Sequence, residues 1–441
     1  MASARAIAFD ACHAAVPAAL FAGTVAVAVC AVEPVCVCVS LAGSLAFSVV
    51  ARGGRATLRG LAWQLPMLAL VCLANPLFSA SGSTLLLKLG PRSVYLESLA
   101  YGATMGALLV STVLWFEGAA AVLTQDRLLA LAPRRARALP LVASMAAQLV
   151  PQLLSRARTV RATLAACTAA GGRPSLRSEL TRTSTMLLTW SLEDSLERSD
   201  AMRARGWESG EPRTRYRPER LRASDVAALA AVGALVALAA AGVPATAGLT
   251  LACALLAVCL VMASFEASRP ALRQLMPTAV LAAVAAAGRV LFSPLPDVKP
   301  VSAIAIVAGA TLGRRSGFVV GALAALLSNV FFGQGPWTPW QMYAWGLVGY
   351  VGGVLAERGA QERPAVLYGW GFASGVVYGL ILNGYHVLGY VQPLTWPAVL
   401  AACAASLPLD VVHGASTVAF LAAIRGVWGR AIRRVVAKYD L

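Results

Sequence analysis

Six polar side chains lie within otherwise apolar stretches of the C-terminal third of the chain. They are Asn329, Gln341, Asn383, His386, Asp410 and His413. An unpaired polar group in hydrocarbon is costly, so residues of this kind usually face a protein interior and mark a functional site. Amide, imidazole and carboxylate groups can hold a small molecule by hydrogen bonds, and we therefore predict that these residues bind a ligand.

Four of these residues form two pairs with the same spacing. Asp410 and His413 are three residues apart, as are Asn383 and His386, and residues at this spacing share one face of a helix. For Asp410 and His413 the spacing allows either a structural pair or two ligand contacts. Asn383 and His386 stand near the outer end of their apolar stretch, where we expect contact with substrate.

The loops that join the apolar stretches supply further candidates. Those near 292–300 and 332–340 carry Asp297, Lys299, Gln334, Trp337 and Trp340. Tryptophan also gathers at membrane interfaces because its ring is amphipathic. The clustering of these residues, rather than any single tryptophan, predicts that they cap a pocket, and the scarcity of charge among them favours a flat, largely uncharged ligand.

The elements that must position these residues are membrane-spanning helices. Of the 441 residues, 59% are hydrophobic and 13% are charged, whereas about 25% are charged in an average soluble domain. A span needs about 20 largely apolar residues. Such stretches occur at 14–32, 34–51, 58–78, 98–117, 225–241, 246–264, 271–291, 301–313, 316–332, 340–356, 365–389 and 397–424. We predict an all-α polytopic membrane protein with about twelve transmembrane helices.

The net charge of +17 comes almost entirely from arginine, because Lys88, Lys299 and Lys438 are the only lysines. Lys and Arg gather in cytoplasmic loops and set the orientation of a membrane protein. The arginines here fall in alternate loops and in the C-terminal tail. This distribution predicts a multi-pass protein of the cell membrane with both termini in the cytoplasm, and it explains the charge without a nucleic acid partner.

The longest polar segment, 118–224, is rich in arginine and contains no lysine. We predict that it is a cytoplasmic insertion. Apolar residues recur every three or four positions over 139–165, which indicates an amphipathic helix lying along the membrane and interrupted near Pro151.

A second helix is predicted over about 179–205 in the same insertion. Its charged residues stand three or four positions apart and can form ion pairs, namely Asp194 with Arg198 and Asp200 with Arg203. Gly206 follows directly and supplies a natural helix stop.

The string SLEDSLERSDAMRARGW at the end of this helix resembles the signature of the transmembrane coupling (T) component of energy-coupling-factor (ECF) vitamin transporters. In that family two helices end in Ala-Arg-Gly and dock onto a pair of ABC-type ATPases. A fixed guanidinium suits this role because it can form forked bonds to carboxylates. The second motif corresponds to Ala204, Arg205 and Gly206. The first falls at Ala169, Ala170 and Gly171, with alanine where the family has arginine.

The chain contains no GxxxxGK[ST] phosphate-binding loop, because none of its lysines directly follows a glycine. The resemblance therefore implies two separate ATPase subunits, identical or different, that bind ATP and Mg²⁺. We expect this chain itself to bind no metal and no cofactor.

A long C-terminal segment resembles the substrate-binding (S) component of the same transporters. The resemblance covers nearly all of 270–424 and rests on strings such as FFGQGPWTPWQM and PLDVVHG. It implies a T-like domain over 1–266, whose coupling helices lie in 118–224, and an S-like six-helix domain over 267–441. Small residues four apart suit close helix contact, and in S components such a stripe faces the T component. Here the stripe is Ala279, Ala283 and Ala287.

Together these features predict the fused T and S part of an ATP-driven importer of a vitamin or related cofactor, with cobalamin as the suggested substrate. The chain would be a transporter subunit and not an enzyme. A carrier that works without ATP is one alternative, but it leaves the arginine-ended helix unexplained. A membrane-embedded isoprenoid transferase is another, but it needs clustered aspartates to bind magnesium diphosphate, and no DDxxD or DxxxD cluster lies in or beside a span.

Overall fold

A computed structural model of the protein describes residues 12–30, 34–78, 84–89, 92–124, 127, 131, 136, 138–168, 176–207, 209, 221–240, 245–335, 337–360, 363–390 and 395–439. Most of these residues are helical. The α-helices are α1 (Ala15–Cys30), α2 (Pro34–Arg52), α3 (Gly54–Phe78), α4 (Leu96–Val122), α5 (Ala138–Thr168), α6 (Leu176–Ala204), α7 (Ala223–Ala240), α8 (Ala245–Ala267), α9 (Leu272–Leu291), α10 (Val301–Leu312), α11 (Arg314–Phe332), α12 (Thr338–Leu355), α13 (Pro364–Tyr390) and α14 (Trp396–Tyr439). The prediction of an all-α polytopic membrane protein is confirmed.

Eight helices are long and apolar enough to cross a membrane, judged by length and composition in the described residues. They include α5. The sequence pattern predicts instead that this helix lies along the membrane surface, and that orientation stays a prediction. Four shorter apolar helices, in α1, α7, α8 and α10, fall on other predicted spans. A two-stranded antiparallel hairpin, β1 (Leu85–Leu89) and β2 (Arg92–Tyr95), stands between α3 and α4, where no strand was predicted.

Contacts along the chain define two compact units. The first contains α1–α4, the hairpin and α7, and the second contains α5, α6, most of α8 and α9–α14. These units follow packing, whereas the predicted domains, divided after residue 266, follow sequence resemblance. The functional division of the chain at that point stays a prediction.

The first unit is held together by aromatic and polar contacts between its helices. Phe47 stacks on Trp115 with ring centroids 5.8 Å apart, and Phe21 packs edge-on against both rings. The indole N–H of Trp115 donates to Ser40 Oγ at 3.1 Å, and Arg52 pairs with Glu117. These contacts fix α1 and α2 against α4.

The helices α10, α11 and α12 pack so closely that glycine is required where they cross. A Cβ added at Gly349 of α12 would collide with the carbonyl oxygen of Gly317 on α11, and one added at Gly321 would collide with the carbonyl oxygen of Trp345. Small residues allow such approach between helices in membranes. The six helices that follow residue 267 therefore form a rigid bundle around their buried side chains.

The arginine-rich helix pair, α5 and α6, belongs to the same compact unit as this bundle. The interruption predicted near Pro151 is wrong, because α5 runs through that residue. Leu149, Val150 and Leu153 are each less than 5% exposed, and their packing offsets the hydrogen bond that proline removes. At its start α5 is capped by Glu266, whose carboxylate accepts the backbone N–H groups of Ala138 and Leu139 at 2.9 Å.

The end of α6 has the geometry that the sequence predicts. Gly206 has φ +81°, its N–H donates to Arg203 O at 2.8 Å, and the N–H of Trp207 donates to Met202 O at 3.0 Å. These two bonds form a Schellman motif, which ends a helix sharply at a glycine. The predicted pair between Asp194 and Arg198 is confirmed at 3.0 Å, whereas Asp200 accepts bonds from Arg273 of α9 at 2.8 and 3.1 Å.

The last helix, α14, is longer than a membrane span. Its 44 residues extend about 66 Å at 1.5 Å per residue, against a hydrocarbon thickness of about 30 Å. Trp428, Ile432 and Val435 near its end are buried in the same cluster as Leu188 and Leu192 of α6, and the two helices are in contact. The predicted tail is thus an extension of the helix that packs on α6.

Candidate functional site

A half-buried arginine within an apolar helix marks the centre of the candidate binding site. Arg289 of α9 donates through Nη1 to Ser328 Oγ at 2.7 Å and to Asn329 Oδ1 at 2.6 Å. Its guanidinium lies 4.8 Å from the ring centroids of Phe332 and Trp345. Within the part of the chain that the structure describes, Arg289 forms no ion pair with a carboxylate. A cation in an apolar helix is thus held by neutral oxygens and aromatic faces.

The contact with Trp345 begins a row of stacked rings that crosses the bundle. Tyr378 of α13 stacks on Trp345 with ring centroids 4.8 Å apart, and His413 of α14 lies 4.9 Å from Tyr378. At the far end Ser302 Oγ and His413 Nε2 are hydrogen-bonded at 2.8 Å. We call Arg289, Trp345, Tyr378 and His413 the ladder. It joins α9, α12, α13 and α14, and its last bond reaches α10.

Two predicted residues, Asn329 and Gln341, meet beside Arg289. The Asn329 side-chain amide donates to Gln341 Oε1 at 2.8 Å and to Thr338 Oγ1 at 3.0 Å, while its oxygen accepts from Arg289. Asn329 is completely buried. This network fixes the amide orientation of Asn329 and leaves Nε and Nη2 of Arg289 as donors that a ligand could meet.

A second polar group joins α13 to α14. Asn383 Nδ2 donates to Ser406 Oγ at 2.6 Å, and Ser406 Oγ donates to Asp410 Oδ2 at 3.0 Å. A Cβ added at Gly379 would collide with the Asp410 carboxylate, so glycine makes room for it. Asp410 and His413 share a helix face as predicted, but they bond to different residues, so the structural pair between them is not the arrangement observed. Asp410 accepts a hydrogen bond from Ser406, and His413 is hydrogen-bonded to Ser302.

The loop between α9 and α10 places Asp297 and Lys299 differently from each other. Lys299 Nζ donates to the carbonyl oxygens of Phe292 and Leu295, each at 2.6 Å, and so closes the end of α9. Asp297 has φ +51°, and its carbonyl oxygen accepts from Ser416 Oγ at 3.3 Å. Partial burial raises the pKa of the Asp297 carboxyl, and nearby Lys299 opposes the rise. Burial and the charge of Arg289 lower the pKa of Lys299.

The predicted tryptophans lie at the start of α12. Trp340 packs against Tyr385 of α13 with centroids 5.9 Å apart, and Trp337 is half-buried at the cap of the helix. The buried indole N–H groups of Trp340 and Trp345 have no hydrogen-bond partner among the described residues. Gln334 is half-buried in the turn before α12, and His386 is exposed on α13.

Sequence inspection missed Arg289, Tyr378 and Trp345, which form most of the ladder. Arg289 had a usable signal, because a charge within an apolar span is rare and usually functional. Tyr378 and Trp345 had none, because aromatic residues in membrane helices commonly only pack against lipid or protein. Ser302 and Ser406 likewise gave no signal, since they bond to partners 111 and 23 residues away.

The predicted ATPase-docking residues lie apart from the ladder, at the end of α6. The side chain of Arg205 is exposed and forms no hydrogen bond or ion pair within the described residues. It follows Ala204 and precedes Gly206 at the Schellman stop, so its position is fixed while its side chain is available. Ala169, Ala170 and Gly171 lie outside the described residues.

The alanine stripe on α9 is buried: Ala279 and Ala283 are 0% exposed and Ala287 is 8% exposed. α9 contacts both α5 and α6, and the three alanines share a buried cluster with Leu149 of α5 and Leu188 of α6. This packing supports their predicted role in contact with the coupling helices, which stays a prediction.

Comparison with known families gives a match over the region that holds the ladder. Residues 270–432 match the family described as ECF-type riboflavin transporter, S component. No curated protein and no solved structure matches the chain. The predicted resemblance to an S component of a vitamin transporter is confirmed for this region. The match covers less than half of the chain and leaves the predicted T component a prediction.

Proposed function

We propose that the chain is the fused membrane part of an ATP-driven vitamin importer of the cell membrane. Helices α9–α14 bind the vitamin, and the arginine-rich helix pair transmits work from two ABC-type ATPase subunits. ATP and Mg²⁺ bind to those subunits. The family match over 270–432 supports the first half of this proposal, and the exposed Arg205 at a fixed helix end supports the second.

The observation that carries the binding role is the set of unfilled donors around the ladder. Arg289 uses only Nη1 in the described contacts, and the indole N–H groups of Trp340 and Trp345 are buried without partners. Leaving a buried donor unsatisfied costs about 1–3 kcal/mol. A ligand with several acceptor atoms on a flat ring would satisfy these donors and stack on the aromatic side chains.

Riboflavin is the first substrate to test. Its ring system is flat and carries several acceptors, and it is the vitamin in the description of the matching family. Cobalamin, suggested by the loop composition, is the second. The ladder supplies stacking faces and donors to either ligand, so direct binding must distinguish them.

Binding is tested by titrating the purified chain with each vitamin and following heat release, with mass spectrometry of any ligand that co-purifies. We expect riboflavin to bind and Arg289→Gln to weaken binding about 100-fold, because charge-assisted hydrogen bonds are each worth about 1.5–3 kcal/mol. Arg315→Gln is the control, since Arg315 is an exposed arginine on α11. Unchanged affinity in Arg289→Gln would remove the ladder as the binding site.

Energy coupling is tested separately by measuring uptake into vesicles with and without the ATPase subunits that co-purify with the chain. We expect uptake only when the subunits and ATP are both present. Uptake at the same rate without them would make the chain an ATP-independent carrier. Failure to recover any ATPase from the native membrane would contradict the coupling role.

A further inference from the structure

A large groove lies in the second unit, and none of the four ladder residues lines it. It has a volume of about 850 Å³ and lies between the arginine-rich helix pair on one side and α9, α10 and α14 on the other. We call it the lateral groove. Its walls are mainly apolar, and the side chains that line it include Leu153, Leu187, Leu291, Phe292, Phe420 and Trp428.

The charged side chains that line this groove all belong to the arginine-rich helix pair. Arg158 and Arg161 of α5 line it together with Glu179 of α6. Arg161 Nε donates to Glu179 Oε1 at 3.3 Å, so these two charges compensate each other. Arg158 is exposed and forms no ion pair within the described residues. We call these three charged residues the rim of the groove. Together they leave one uncompensated positive charge.

One hydroxyl in the groove also lacks a partner. Thr183 of α6 is 7% exposed, and its Oγ1 forms no hydrogen bond within the described residues. A buried hydroxyl without a partner is costly, and an apolar cavity of this size loses contacts along its whole lining unless it is filled. Both features indicate an occupant with an apolar body and polar oxygens.

We propose that the lateral groove binds one anionic phospholipid of the surrounding membrane. The acyl chains lie along the apolar walls, and the phosphate meets Arg158, which can form forked bonds to phosphate oxygens. The single excess charge of the rim matches the single charge of a phosphatidylglycerol headgroup. A bound lipid would fill the space between the helix pair that carries Arg205 and the helices that form the binding site.

Two substitutions at the rim change its positive charge in opposite directions. Arg158→Gln removes the excess positive charge, and Glu179→Gln frees the guanidinium of Arg161 and raises the excess. Arg182→Gln is the matched control, because Arg182 is an exposed arginine on α6 next to Thr183 that does not line the groove. Ala423→Phe adds bulk to the α14 wall of the groove and leaves the rim charges unchanged.

The test is native mass spectrometry of the purified full chain mixed with dioleoyl phosphatidylglycerol or dioleoyl phosphatidylcholine. These lipids share their acyl chains and differ in headgroup charge. We expect one phosphatidylglycerol per chain and about tenfold preference over phosphatidylcholine. Arg158→Gln should lose that preference, Glu179→Gln should increase it, Arg182→Gln should keep it, and Ala423→Phe should lower retention of both lipids.

Three results would overturn the proposal. The first is equal retention of the two lipids by the natural chain. This measurement does not depend on the folding of any variant. The second is an unchanged preference in Arg158→Gln with native helix content. The third is displacement of phosphatidylglycerol by riboflavin in equal numbers, which would make the groove a vitamin site. Lipid retention is measured without transport, so failure of the proposed importer function would leave this result unaffected.

Discussion

Two arginines in different regions of this protein show how surroundings decide the role of a side chain. Arg289 lies within the helical bundle, bonded to Ser328 and Asn329 and covered by aromatic rings. Arg205 lies at the end of α6, and its side chain is exposed and forms no hydrogen bond or ion pair in the described residues. A guanidinium held by hydrogen bonds and rings is rigid and selective for a ligand that replaces water, whereas an exposed one at a fixed helix end is available to another protein.

The largest expected effect separates these two roles directly. Arg205→Ala should abolish ATP-dependent uptake, because it removes the group proposed to bond carboxylates of an ATPase. Vitamin affinity should stay within about twofold of the natural chain, since Arg205 is far in the sequence from the ladder and exposed. Uptake assays and titration of the same preparation give both values. Arg182→Ala, an exposed change on the same helix, should affect neither. Loss of both uptake and binding in Arg205→Ala would mean that energy coupling and vitamin binding are not separated between the two regions.

The next effect concerns the packing that keeps the ladder rigid. Gly349→Ala should lower the free energy of unfolding by about 1–3 kcal/mol or prevent folding, because its Cβ would collide with the carbonyl oxygen of Gly317. Gly369→Ala on α13 is the control, since nothing lies within 4 Å of the added Cβ. That change should raise stability by about 0.5–1 kcal/mol. Thermal unfolding in detergent measures both, and equal stability of the two variants would contradict the close packing.

Hydrogen bonds in the two regions should also differ in strength. Ser302→Ala removes the buried bond to His413 Nε2 and should cost about 1–3 kcal/mol, because the imidazole loses its partner away from water. Ser209→Ala removes an exposed bond to Gly206 O and should cost about 0.5 kcal/mol or less. Denaturant or thermal unfolding compares the two variants. Equal losses would show that burial does not strengthen the ladder.

The smallest effect is a pH dependence from the loop after α9. Burial raises the pKa of Asp297 above its ordinary value of 3.8, so the folded chain binds this proton more tightly than the unfolded chain does. Stability should therefore fall as pH rises from about 3.8 through the raised pKa. Asp297→Asn should flatten this slope, measured as the melting temperature across that range. The lowered pKa of Lys299 acts in the alkaline range and does not affect this measurement.

Local pattern was enough to predict most of the elements. Apolar stretches marked the helices, and Gly206 marked the end of α6, because both depend on neighbouring residues alone. Pro151 misled, since its flanking leucines and valine are buried and the helix continues through it. The hairpin over residues 85–95 was missed for the opposite reason, since its strands are short and gain their hydrogen bonds only from each other.

The candidate site was predicted in part. Asn329 and Gln341 were identified because amides in apolar helices are unusual, and the structure brings them together beside Arg289. Lys299 was also predicted at the pocket, and its contact with a ligand stays a prediction. The structure adds that its ammonium bonds the carbonyl oxygens of Phe292 and Leu295 at the end of α9, which the sequence analysis did not predict.

The amino-acid sequence by itself determined that this chain is a helical membrane protein, that its basic charge is arginine, and that one helix ends in an exposed Ala-Arg-Gly. These properties follow from composition and from interactions within one or two helical turns. Tertiary structure alone decided that Arg289, Trp345, Tyr378 and His413 form one ladder, because its contacts join helices far apart in the sequence. It also decided which polar residues bond to one another, since burial makes each such bond depend on the whole bundle.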